Sequence, residues 1–326
     1  MVQLQDFNDP PPSRRPWIIL LIIVLAISFL GWRIMRNFKS VPDKKPAPAA
    51  AAPETNAVAP VAVAPVSNAA PDSASSSSVA RVSGSVPPAM LEEEAALEKA
   101  GQLVEAREKC LQILDQYPGA AGLAAVEEKA GALGIELVMK PHPMPEKTDY
   151  VVAGGDTLDK IAKKFACTKE LIVTNNLVAK PALIKKGDHY RVLTGVFKVR
   201  VNKTRNELLV TLNNRFFKRY PIGTGKFGKT PVGVFVIGER IAQPVWWKPD
   251  GKAVPFGHPD NILGTYWLAL RAVGKTPPVS GYGIHGTWDD SSVGKAESLG
   301  CIRLHNADVE QLYVMLPVGT EVVIEE

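Results

Sequence analysis

Residues 281–306 read GYGIHGTWDDSSVGKAESLGCIRLHN, with His285 and Cys301 sixteen positions apart, each beside a glycine, and Arg303 two residues beyond the cysteine. A thiolate is the nucleophilic form of cysteine, and an imidazole can take the thiol proton. The pair is therefore a minimal kit for forming a thioester with an acyl donor. In Ser298-Leu299-Gly300-Cys301 the glycine permits a tight turn. Successive backbone N–H groups can then face one point beside the sulfur, as an oxyanion hole requires.

Such a pair needs a rigid frame, and the surrounding sequence reads as strands. Phe197, Val199 and Val201 alternate with Lys198, Arg200 and Asn202, and Leu208, Val210 and Leu212 keep the two-residue period up to a turn at Asn213-Asn214. Short strands broken by Gly and Pro run on to the terminal VGTEVVIEE, with a helix expected near residues 306–315. The expectation for residues 196–326 is a mainly-β domain, a sandwich or barrel-like sheet with a short helix.

Upstream, residues 89–140 read as a small helical hairpin. Leu103, Ala106, Cys110, Ile113, Leu114 and Tyr117 share one face, Pro118-Gly119 breaks the helix, and Leu123, Val126, Ala130 and Leu133 begin a second. The pair resembles one tetratricopeptide-type hairpin, which normally stacks on neighbours. It is read either as a site for a protein partner or as a spacer with Cys110 as packed filler. Residues 36–88 are a linker: positions 41–88 hold nine prolines, thirteen alanines and no aromatic, too little apolar area to offset chain entropy. Fully extended, they could reach roughly 150 Å.

After a short tail at 1–16, residues 17–32 are sixteen uncharged, mostly apolar positions between Arg14-Arg15 and Arg33. That spans about 24 Å, and extension to residue 35 with Arg33 snorkelling approaches the roughly 30 Å of a bilayer core. The expectation is an uncleaved membrane anchor at 17–35, with a cleaved signal peptide as the rival. Five basic residues after the run against two before it favour a cytoplasmic chain, in conflict with the extracytoplasmic placement argued below.

A net charge of +5 fits an anionic partner but does not choose one. No basic run with interleaved aromatics and no zinc-knuckle spacing is present, which argues against nucleic acid. No cofactor motif is seen. Zinc on Cys301, His285, His305 and His258 is the chemical rival to catalysis, and it lacks recognisable ligand spacing. With three cysteines, at least one thiol stays free.

Two resemblances sharpen this. In residues 149–195, GDTL, the IAKKF stripe, Asn175-Asn176-Leu177 and LIKKGD resemble the LysM module, a βααβ domain that binds N-acetylglucosamine-containing glycans. The resemblance implies glycan contacts at Gly155, Asp156, Thr157, Leu158 and Ile184. Across the last 130 or so residues, KTPVGVFVI, NILGTYWLAL, GYGIHGT and SLGCIRL resemble the YkuD family of L,D-transpeptidases. That implies Cys301 as nucleophile, His285 as base and Gly286 orienting the imidazole through its carbonyl. It also implies the N–H groups of Leu299, Gly300 and Cys301 as oxyanion hole, with Arg303, Tyr282, Thr287 and Ser298 as substrate-binding candidates. Leu299 departs from the histidine many members carry, which matters only if that side chain contributes.

The implied reaction is cysteine-dependent acyl transfer from peptidoglycan stem tetrapeptides to 3→3 crosslinks, with a carboxypeptidase using water or a non-catalytic wall-binding scaffold as alternatives. A substrate outside the cytoplasmic membrane places the catalytic part there, at the end of a single-pass anchor.

Overall fold

The computed structural model describes residues 84–326. The anchor expected at 17–35 and nearly all of the linker at 36–88 lie outside them. Among the described residues, no helix is long and apolar enough to cross a membrane.

Three helices open the described residues where two were expected: α1 (Pro88–Lys99), α2 (Leu103–Gln116) and α3 (Leu123–Met139). The break between α1 and α2 falls at Gly101, whose φ of 76° ends the first helix in a left-handed turn. Ala106, Cys110 and Ile113 of α2 meet Val126, Ala130 and Leu133 of α3 in a small core. A βααβ unit follows, with β1 (Lys147–Val151), α4 (Leu158–Phe165), α5 (Lys169–Asn175) and β2 (His189–Leu193). Thr157 and Thr168 cap its helices by accepting the amides of Lys160 and Leu171.

The main sheet is built from β3 (Phe197–Asn202), β4 (Glu207–Leu212), β5 (Arg215–Pro221), β7 (Gly233–Ala242), β10 (Tyr266–Ala272), β11 (Gly283–His285), β13 (Ile302–Arg303) and β14 (Glu321–Glu325). Short strands β6 (Thr224–Gly225) and β12 (Ala296–Ser298) pair with each other, as do β8 (Trp246–Trp247) and β9 (Ala253–Val254). Helix α6 (Asn306–Met315) precedes β14.

In β3 the expected alternation buries Phe197, Val199 and Val201. Asn213 and Asn214, at φ of 52° and 63°, make the left-handed two-residue turn that suits a hairpin. The eight strands run β13-β11-β10-β7-β14-β3-β4-β5 in one sheet. It does not split into the two layers of a sandwich. Just past β5, the Gly223 amide and carbonyl exchange 2.9 Å hydrogen bonds with Arg303 of β13, so the sheet curls until its two ends meet.

The helices are not a free-standing spacer. A Cβ on Gly134 would lie 3.0 Å from the Phe217 ring, and one on Gly131 would lie 3.0 Å from Lys218, so α3 rests directly on β5. Paired hydrogen bonds fasten two of the helices to β5: Arg219 to Glu127 of α3, both at 2.8 Å, and Arg215 to Glu108 of α2 at 2.7 and 2.9 Å. Gly134→Val should therefore cost about 1–3 kcal/mol of unfolding free energy through overpacking, read from urea melts. Gly119→Val, at a turn where a Cβ meets nothing within 4 Å, would report backbone strain alone. The βααβ unit is docked too: Leu171 joins the main core, Arg240 pairs with Glu170 at 3.2 Å, and Thr168 donates to the Val314 carbonyl.

Candidate active site

Strands β11 and β13 run parallel with Ile284 opposite Ile302 and His285 opposite Arg303. Both isoleucines are fully buried in the core. Because side chains alternate along a strand, Gly283, His285, Cys301 and Arg303 all turn to the other face. There His285, Cys301 and Arg303 line one cleft of about 700 Å³. Trp246, Trp247 and Trp267 line it too, which makes them cleft wall.

His285 is buried, and its Nδ1–H donates to the Gly286 carbonyl at 2.6 Å. A carbonyl can only accept, so the proton sits on Nδ1 and Nε2 keeps its lone pair as a base. Trp267, opposite His285 on β10, stacks on the imidazole at 5.6 Å and 23°. The space for that ring comes from Gly283, where a Cβ would stand 2.5 Å from it. Gly286 is held as tightly, since a Cβ there would meet Asn306 Oδ1 at 2.1 Å. Asn306 in turn accepts from the Thr265 amide at 3.1 Å and donates to the Thr287 carbonyl at 2.9 Å. Sequence reasoning missed the parts played by Asn306 and Trp267. The density of glycines around His285 was the available signal.

Burial pushes the His285 imidazole down to about 4, with the Gly286 and Leu263 carbonyls opposing and the Arg303 charge adding. Burial also pushes the Cys301 thiol up, against the pull of the Gly283 amide and Arg303. At neutral pH the resting pair is therefore thiol and neutral imidazole, with the thiol 3.6 Å from the Gly281 carbonyl. The three cysteines are all free thiols. Cys110 and Cys167 are buried and pushed up to about 12 and about 11 by desolvation. Iodoacetamide should accordingly label Cys301 alone in the folded protein, and peptide mapping should show its rate rising about tenfold per pH unit between pH 6 and 8. A flat rate from pH 5 upward would mean a preformed thiolate–imidazolium pair.

The loop before the cysteine differs from expectation. The Gly300 amide, expected as an oxyanion donor, is held by Ser298 Oγ at 3.0 Å. Ser298, expected to touch substrate, is buried, and its hydroxyl donates to the Cys301 carbonyl at 2.7 Å, so it shapes the loop. Thr287 is also buried and accepts the Asp289 amide at 3.1 Å, outside the cleft lining. Tyr282 and Arg303 do line the cleft, and the Arg303 Nε is buried without a partner. The Leu299 side chain is 65% exposed at the rim. Of the other zinc candidates, His305 pairs with Asp290 at 2.8 Å and His258 accepts the Asp260 amide at 3.1 Å, and neither lines the cleft.

In the βααβ unit, Asp156 accepts from Tyr150 at 2.7 Å and from the Ala153 amide at 2.8 Å, while Thr157 caps α4. Leu158 is buried in that unit's core with Ile184 half-buried against it, so Leu158 helps to build the unit. Gly155 is exposed at φ 84°.

Residues 197–324 match the YkuD family, described as the L,D-transpeptidase catalytic domain. YkuD of Bacillus subtilis, provisionally named an L,D-transpeptidase, is 36% identical over 184 residues, covering 54% of this chain and 97% of that protein. The chain belongs to the YkuD family of L,D-transpeptidases. Another relative, YqjB of Bacillus subtilis, carries the same provisional activity in its name and is 43% identical over 127 residues, 39% of this chain and 69% of YqjB. An L,D-transpeptidase structure from Mycobacterium smegmatis aligns at a TM-score of 0.32 and 18% identity over 43% of this chain and 64% of that one, too loose a likeness to carry an argument. The cleft with His285 and Cys301 thus lies within a YkuD-type catalytic domain.

Proposed function

We propose that the chain is a cysteine-dependent L,D-transpeptidase that forms 3→3 crosslinks in peptidoglycan. The observation that carries this is the His285–Gly286 hydrogen bond, which puts the proton on Nδ1 and leaves Nε2 unprotonated, on a residue that lines the same cleft as Cys301. In the first step, Cys301 Sγ attacks the carbonyl of the L-centre at the third residue of a stem tetrapeptide, and its proton passes to His285. The C–N bond to the terminal D-alanine breaks, and the leaving amine takes that proton. In the second step, the side-chain amine of another stem attacks the thioester, the C–S bond breaks, and the amine's proton returns by way of His285 to the thiol. The developing oxyanion is assigned to the amides of Leu299 and Cys301, since Gly300's is held by Ser298; each such donor is worth about 10² to 10³ in rate. Arg303, with an unpartnered Nε, is assigned to a substrate carboxylate.

The βααβ unit is assigned as a LysM module holding glycan, a reading supported by its element order and by the GDTL and LIKKGD motifs. The anchor and linker would then hold the catalytic part outside the cytoplasmic membrane. The test is incubation of the full chain with a disaccharide tetrapeptide, followed by mass spectrometry. Transpeptidation gives free D-alanine and a crosslinked dimer. Tripeptide alone means a carboxypeptidase, and unchanged muropeptide with retained sacculus binding means a scaffold.

A further inference from the structure

We infer that the turn Lys226–Gly228 and the adjoining Lys229 form the docking surface for the second substrate, the anionic acceptor stem peptide. This rests on the acyl-transfer reading of Cys301.

The turn abuts the loop that carries the cysteine. β6 pairs with β12, placing Gly225 opposite Ser298. A Cβ on Gly225 would stand 2.7 Å from the Gly300 Cα, and one on Gly300 would stand 3.1 Å from the Lys229 carbonyl. The backbones of turn and loop are thus in contact one residue from the sulfur.

At the tip, Phe227 is 95% exposed. It also holds φ at 54°, a left-handed conformation that glycine adopts freely and an aromatic residue adopts only at a cost of about 1–3 kcal/mol. Its backbone is pinned. The Lys229 amide bonds the Lys226 carbonyl at 3.1 Å, and the Gly225 amide bonds the buried Thr230 hydroxyl at 2.8 Å. Lys203 reaches the Gly228 carbonyl at 3.5 Å while paired with Glu326 at 2.9 Å. A strained, almost fully exposed aromatic on a fastened turn that packs against nothing among the described residues has the profile of a contact kept for a partner.

The occupant follows from charge and from the order of events. Lys226 and Lys229 lie on either side of Phe227 in the sequence and are exposed, so the turn carries an apolar group and two cations. A stem peptide brings the complement, free carboxylates with small apolar side chains between them. The donor remains attached to Cys301 when the acceptor arrives, and none of residues 226–229 lines the cleft assigned to the donor. The acceptor must therefore enter over a rim, and this turn with exposed Leu299 beside it is the rim next to the sulfur.

The test uses the full chain and purified disaccharide tetrapeptide, with Phe227→Gly, which suits the left-handed backbone, and the double variant Lys226→Glu with Lys229→Glu. Free D-alanine reports the donor step, and the ratio of dimer to tripeptide reports the acceptor step. The inference predicts that each variant lowers the ratio about tenfold while total D-alanine release changes less than twofold. An unchanged ratio overturns it, as does an equal fall in D-alanine and dimer, which would place the turn in the donor site. If the unaltered protein releases no D-alanine, the acyl-transfer reading itself falls and takes this inference with it.

Discussion

Cys301→Ala should abolish D-alanine release from a disaccharide tetrapeptide, by a factor on the order of 10⁴ or more, without unfolding the protein. The size of the effect follows from the absence of a substitute. The other two thiols are buried and held protonated by desolvation, so neither can take over. Truncation removes one sulfur from the cleft wall and leaves the β11–β13 pairing and the Ser298 braces intact. Far-UV circular dichroism and a melting temperature within a few degrees of the parent protein should accompany the loss. Residual activity of a tenth or more would point to a nucleophile other than Cys301.

The second large effect is a dependence of stability on pH that belongs to one side chain. His285 is buried with its affinity for protons pushed down to about 4, against about 6.5 for an unfolded imidazole. Between these values the unfolded chain binds a proton that the folded chain refuses. Stability from this group is therefore fully present above about pH 6.5 and lost as pH falls toward 4. The difference amounts to about 3 kcal/mol at its limit. His285→Gln removes the titration while keeping a side-chain N–H for the Gly286 carbonyl. Urea melts at pH 7 and pH 4 should show the parent losing about 3 kcal/mol more than the variant. Parallel losses would mean that the imidazole is not held neutral. The same variant should lower the acylation rate about 10² to 10⁴-fold at pH 7, since the thiol proton then has no base to go to.

Much of this was legible in the residues, and what was not has a common cause. Alternation in β3 and β4, the paired asparagines at 213–214 and the helix at 306–315 are local signals, set by side-chain period and backbone conformation, and the structure has each of them. His285 and Cys301 stood out because glycine lies beside each. The closing of the sheet through Gly223 and Arg303 joins residues eighty positions apart and leaves no mark in either neighbourhood. Likewise Gly131 and Gly134 look like weak points in a helix until β5 is seen against them. Ser298 could be read as a substrate contact because its residue type serves equally well as a loop brace, and only its two short hydrogen bonds decide between them. Gly101 is a local signal of another kind, and its left-handed conformation turns an expected hairpin into three helices.

The most direct measurement is acid quenching of the full chain within the first turnover on a disaccharide tetrapeptide, followed by mass spectrometry of its peptides. The account predicts a covalent adduct on the peptide containing Cys301, with the mass of the substrate less D-alanine, and none on the peptides containing Cys110 or Cys167. Release of D-alanine with Cys301 unmodified at every quench time, or an adduct on another residue, would contradict it.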